Sequence, residues 1–541
     1  MKKLLVVLIS GLLLFTLSCE SRSVAEGSSS KEITIGRNYD ATSLDVQNVE
    51  DDGSYLLLYL MGEGLVRNDD GIISPGVAER WDISPDYKTY TFYLRPDAKW
   101  SDGSPLTAHD FEYSFKRLIN PQFGHKQGYL GLDFLNARAY YNGEASIDDV
   151  GIVALNDSTL QLTYENPSIV RLFNLATWTF FPVNKALVER EGVTYGSEAS
   201  RVMFNGAFTI EEWRHEDRVV MAKNENYWNK SAIRLDKIIN IVGITYTTAV
   251  DMMLAGELDV YVYNNLDHVN AVKDSGYTVE PIIRGYQFAH MNSSGSTRLT
   301  SRFMANTNFR RALNYAVNRQ GLVASVYPGG QPTYRIAAPT MAGVNGLFVE
   351  EYPYEGWLGS GDPGRARQSL DAALRELGAT IADVPELSLL CFESQASMTV
   401  MQAVQDMILS TLGLRSRIDP QPIQQMLAKA IGGDWDFWWG GKPFGSLDWG
   451  DGWARDYIND ESNPYAFQYQ NAEYTSKYYQ MVYALTIQER KDLLFEMEKI
   501  LCENPASILV AWNQNWVLLK EGIEGFVMGP VVNFTYLDVV K

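Results

Sequence analysis

Gly62-Glu63-Gly64-Leu65-Val66, Ala78-Glu79-Arg80-Trp81, Tyr90-Thr91-Phe92, Trp100-Ser101-Asp102-Gly103 and Asp110-Phe111-Glu112-Tyr113-Ser114 follow one another within residues 60–121. Inside this run Tyr87, Thr89, Thr91 and Tyr93 alternate with Tyr90, Phe92 and Leu94, a period of two that predicts a strand. Asp86 before it and Arg95-Pro96 after it bound that strand. Thr107, with Asp110 three residues on, reads as the N-cap of a helix over Ala108–Leu118, whose Phe111, Phe115 and Leu118 share one face.

The same mixture extends in both directions. Strands are expected at Glu32–Gly36, Val219–Lys223 and Ser507–Trp512. Helices are expected at Tyr55–Leu65, Thr247–Ala255, Phe309–Ser325, Ser369–Leu377, Met398–Leu412 (stopping near Gly413) and Lys491–Cys502. Strands and helices intersperse without a repeat period, which points to α/β or α+β lobes. At 541 residues the chain has length for two or three lobes.

Charge excludes one class of partner. The formal net charge is −20, and no basic stripe stands out, so nucleic acid is not expected as a ligand. The five histidines, His109, His125, His215, His268 and His290, are not paired at metal-ligand spacing. No nucleophile-elbow or phosphate-loop motif occurs. Neither catalysis nor a cofactor or metal is expected.

Lys2 and Lys3 precede an almost wholly apolar run, Leu4 to Leu17, which is too short for an ordinary membrane span and suits a signal peptide over residues 1–18. Thr16-Leu17-Ser18-Cys19 resembles a bacterial lipobox, which makes Cys19 the expected lipidation site. Acyl chains contribute about 0.8 kcal/mol per buried methylene, so several would tether the chain to a membrane. Residues 19–31, with Gly27-Ser28-Ser29-Ser30, read as a flexible tether. Cys391 and Cys502 remain; they could form a disulfide or be two small buried side chains.

The blocks quoted first, with Asn205-Gly206-Ala207-Phe208, Lys223-Asn224, Tyr227-Trp228, Ala255-Gly256-Glu257-Leu258-Asp259 and Arg310-Arg311-Ala312-Leu313, resemble the peptide- and nickel-type solute-binding proteins of ABC importers, extracellular solute-binding family 5. Trp453-Ala454-Arg455-Asp456-Tyr457 is similar to the aromatic–acid loop of the oligopeptide-binding branch. The resemblance implies an α/β, type II periplasmic-binding-protein fold with two hinged lobes and an extra domain. Lobe I would comprise residues 32–75, 191–285 and 516–541, the extra domain 76–190, and lobe II 286–515. It further implies an extracytoplasmic, monomeric, membrane-anchored receptor that captures short peptides and delivers them to the importer's permease and ATPase subunits. The same fold binding an oligosaccharide or metal chelate, or serving as a surface adhesion lipoprotein, stays open.

A receptor for many peptide sequences must ligate what they share: a cationic amino end and an extended backbone. By the resemblance, Asp456 is the carboxylate for the amino end, with Trp453 and Tyr457 flanking it. The tryptophan-dense stretch beside it adds Trp439 and Trp449 as cleft walls. Asp52 is a further candidate acid near the first loop.

Overall fold

The structure is a computed structural model that describes residues 31–49, 51–69, 71–294, 297–327, 329–443, 452–458, 469–526 and 534–540. The expected signal peptide, Cys19 and Trp449 lie outside the described residues.

An eleven-stranded mixed sheet runs through the molecule. Its strands, in chain order, are β1 (Glu32–Gly36), β2 (Phe208–Arg214), β3 (Arg218–Lys223), β4 (Lys237–Ile241), β5 (Val260–Tyr263), β6 (Tyr277–Met291), β7 (Gln331–Pro332), β8 (Leu387–Phe392), β9 (Ser416–Gln421), β10 (Phe437–Pro443) and β11 (Ser507–Lys520). The spatial order is β9-β8-β10-β6-β11-β5-β1-β4-β3-β2, with β7 pairing β11. Parallel pairs (β1 with β4 and β5, β8 with β9 and β10) sit toward both ends, and β6 and β11 pair antiparallel at the centre.

That central pair joins two lobes. Near Tyr277–Ile283, β6 matches Gln514–Lys520 of β11, and Ile282, Val517 and Leu519 enter a core with Ile33, Leu57 and Ile238. Beyond a register shift between Ile283 and Tyr286, the same two strands match at Tyr286–His290 and Ser507–Trp512. There their side chains divide between two cores on the two sides of the sheet: Ala289 and Ile508 in one, Phe288 and Leu509 in the other. The α/β, two-lobed type II architecture expected from the sequence is thus the one found.

Residues 78–163 contribute a separate four-stranded antiparallel sheet, Ala78–Ile83, Thr89–Leu94, Thr159–Thr163 and Ile152–Asn156. Helix Ala108–Leu118 packs on it, burying Phe92, Phe111, Phe115 and Leu160. Each such fully buried aromatic stabilises by about 1.5–3 kcal/mol. The Asp110 carboxylate accepts hydrogen bonds from the Thr107 amide (2.8 Å) and hydroxyl (2.9 Å), as the capping pattern predicts.

Several elements differ from expectation: the helices expected from Ser369 and Lys491 begin earlier, at Pro363 and Ile487, and three others differ more. The helix expected to end at Leu65 is Asp52–Met61, stopped at Gly62, whose amide returns to Leu58. The helix expected over Phe309–Ser325 is two, Thr307–Ala316 and Arg319–Val326. Val317 is extended there, and the Asn318 side chain caps the second helix by accepting from the Gly321 amide at 2.9 Å. The strand expected to end at Trp512 continues to Lys520 because burial resumes at Trp516. Cys391 and Cys502 are separate buried thiols, and burial pushes the Cys391 thiol up to about 11. Among the described residues no helix is long and apolar enough to cross a membrane.

Candidate functional site

Where β6 and β11 pass from one lobe to the other, their apolar pattern breaks. Trp512-Asn513-Gln514-Asn515-Trp516 places three amides between two tryptophans in the middle of β11. A cavity of about 530 Å³ opens at this point. Asn264, Asn265, Gln287, Asn513, Gln514 and Asn515 supply its polar lining, Trp512 and Trp516 part of its walls, and none of the described residues lining it is charged. The Gln287 amide donates to Asn513 Oδ1 at 2.6 Å, fixing both side chains. Gln514 Oε1 is buried with no hydrogen-bond partner among the described residues. A buried acceptor in that state costs about 1–3 kcal/mol, which a ligand N–H would recover. Amides both donate and accept, so this lining suits an uncharged polar chain such as a peptide backbone.

One step along the same ladder lies the acid singled out from the sequence. Gln287 pairs in register with Gly441, and Tyr286 with Lys442. The Tyr286 hydroxyl donates to Asp456 Oδ2 at 2.7 Å, and the Lys442 ammonium donates to Asp456 Oδ1. Asp456 is 4% exposed, at the end of the short helix Trp453–Asp456. Trp512, a wall of the cavity, meets the Tyr286 ring edge-on at 6.4 Å and so connects the cavity with the carboxylate.

The remaining candidates are distributed as follows. Trp453 and Tyr457 are buried in the core that also holds Tyr286, Phe288 and Trp438. The Tyr457 hydroxyl is 2.9 Å from Ser507 Oγ, and burial raises its pKa above the ordinary phenol value. Trp439 enters the opposite core, with Phe437 and Ile508, because neighbouring strand residues face opposite ways. None of Asp456, Trp453, Tyr457 and Trp439 is among the residues lining the cavity. For Asp52 the structure describes only its place at the start of helix Asp52–Met61; Asp51 caps that helix by accepting from the Ser54 amide at 2.8 Å. The amides of β11, Tyr286 and Lys442 were not singled out from the sequence. The interruption of an apolar strand by Asn513-Gln514-Asn515 was the signal that could have found the first group.

The family model of the bacterial extracellular solute-binding proteins, family 5 Middle, matches residues 73–473. The chain belongs to this family. It is 32% identical over 366 residues to the oligopeptide-binding protein OppA of Bacillus subtilis, a match spanning 66% of this chain and 65% of that protein, slightly under two thirds of its length. It is 30% identical over 450 residues to the dipeptide-binding protein of Lactococcus lactis, spanning 81% of this chain and 80% of that one. Among solved structures, Haemophilus influenzae OppA in complex with RPPGFSPFR superposes with a TM-score of 0.76 at 22% identity, covering 95% of this chain and 99% of that one. The pheromone receptor PrgZ superposes with a TM-score of 0.77, also at 22% identity, over 95% and 100%. At these identities the two structures speak for the fold. They match this chain over nearly its whole length.

Proposed function

We propose that this family member is the substrate-binding lipoprotein of an ABC importer, capturing oligopeptides between its lobes and delivering them to a membrane permease. The observation that carries the reading is the amide-lined cavity where β6 and β11 cross between the lobes, none of whose described lining residues is charged. Such a lining can pair with the constant backbone of a peptide while contributing no charge preference for its side chains. Asp456 marks the amino-end subsite, with Trp453 and Tyr457 packing the helix that presents it. The relatives named for oligopeptides and dipeptides support the same substrate class.

In this reading residues 32–75, 191–285 and 516–541 form lobe I, 76–190 the extra domain and 286–515 lobe II. Closure bends the two long strands near their register shift, and ligand contacts from both lobes favour the closed state. Cys19 carries the lipid, the chain acts as a monomer at the outer face of a membrane, and it catalyses no reaction.

The test is native mass spectrometry of the chain from residue 20 onward, purified without denaturation. A ladder of adduct masses matching short peptides is the expected result and gives their length. A single sugar or metal-chelate mass would replace the peptide reading. An empty protein whose unfolding temperature is unmoved by a mixed peptide library would overturn it.

A further inference from the structure

The amino-end carboxylate is already occupied by the chain itself. Asp456 has two oxygens: Tyr286 donates to one and the Lys442 ammonium to the other. The carboxylate is almost wholly shielded from water, whereas the Lys442 side chain is 40% exposed. A buried carboxylate needs a cation or several donors. Here the cation is built in, only 14 residues away along the chain.

We propose that Lys442 is a specificity-determining residue: its ammonium stands where a ligand's amino group would dock, so the cleft accepts peptides with blocked or uncharged amino ends as readily as free ones. This rests on the peptide reading above. The physical argument is one of exchange. A ligand ammonium reaching Asp456 Oδ1 must displace Lys442, replacing one charge-assisted hydrogen bond by another of the same kind. Lys442 regains water when displaced, but the ligand's amino group loses it, so the exchange yields little net preference. An N-acylated peptide leaves the ion pair intact and forgoes nothing. The cavity lining reinforces this, since its described residues carry no charge that could select for the ammonium instead. Without Lys442, the same carboxylate would hold one donor, Tyr286, and a free amino end would supply the missing cation.

The experiment compares two mixed pentapeptide libraries, one with free and one with acetylated amino ends, binding to the full chain in detergent. For the unmodified chain the two affinities are expected to agree within about threefold. Lys442→Met is expected to favour the free-amine library by about tenfold or more. Lys442→Arg keeps a cation on Asp456 and is expected to keep the near-equal ratio. Adding Asp456→Asn to Lys442→Met is expected to remove the preference. Unfolding temperatures of all variants confirm that each remains folded. An unmodified chain that prefers free amines tenfold, or a Lys442→Met chain with an unchanged ratio, overturns the proposal while leaving the peptide reading intact. Failure of every variant to bind either library overturns the peptide reading, and the proposal falls with it.

Discussion

The guanidinium of Arg455 lies over the ring of Tyr129, 5.0 Å from its centroid. Arg455 neighbours Asp456 on the short helix Trp453–Asp456, and Tyr129 lies in the short helix Gly128–Gly131, so this contact joins two segments far apart in the chain beside Asp456. Tyr129 is partly exposed, where a cation–π contact contributes about 0.5–1 kcal/mol. Tyr129→Ala is therefore expected to weaken peptide binding about two- to fivefold, chiefly through faster release. Stopped-flow dissociation rates check this; an unchanged rate would show that the contact does not hold the closed form.

Gln514 lines the cavity, and its Oε1 is buried. Gln514→Leu removes a buried acceptor that has no partner among the described residues, so the ligand-free chain should unfold at the same temperature or slightly higher. Peptide affinity should drop by about 1 kcal/mol, roughly fivefold. Calorimetric titration beside thermal unfolding separates the two effects. Loss of stability with unchanged affinity would remove Gln514 from the site.

Glu498 pins Arg335 and the two amides after it without lining the cavity. Its Oε1 accepts from Arg335 Nε (2.9 Å) and from the Ile336 and Ala337 amides (3.1 and 3.0 Å), and Arg335 also donates to Oε2. The carboxylate is completely buried. Glu498→Ala strands the guanidinium and two amides and is expected to cost about 3–5 kcal/mol in chemical unfolding. Glu498→Gln, which keeps an acceptor, should cost less; equal losses would argue against the charge pairing.

Glu63 supplies a pH dependence. Burial raises its pKa above the ordinary carboxylate value, while Arg67 (3.6 Å), the Tyr227 hydroxyl (2.7 Å) and Trp228 Nε1 (2.5 Å) pull it back. A carboxyl raised on folding favours the fold in its protonated form. That contribution is full below the unfolded value and is lost as pH rises through the raised one. Glu63→Gln has no such loss. Its unfolding temperature relative to the unmodified chain should rise as pH increases above about 4, the ordinary carboxylate range. A difference that stays flat as pH rises contradicts the assignment.

Local signals in the sequence carried far. The strand ending at Leu94 and the helix over Ala108–Leu118 stand where alternation and the Thr107–Asp110 pair put them. The helix ending at Leu412 stops at Gly413, which takes the left-handed conformation (φ 69°). The break at Val317-Asn318 was missed because its side chains continue a helical pattern. What ends the helix there is an asparagine side chain that finds a better partner in the next turn than in its own. The aromatic–acid motif pointed to Asp456 but carried no information on what would face it.

Sequence alone determined several of the strands and helices, where some of them are capped, and, through motifs of fixed spacing, the family. Those properties depend on neighbours within a turn or along one strand, so they can be read locally. The tertiary structure decided that Tyr286 meets Asp456 from 170 positions away and that Gln287 meets Asn513 from 226. It also decided that the Lys442 ammonium meets the Asp456 carboxylate. Those meetings follow from how the two lobes share β6 and β11 while burying separate cores, a global packing solution that no local pattern encodes.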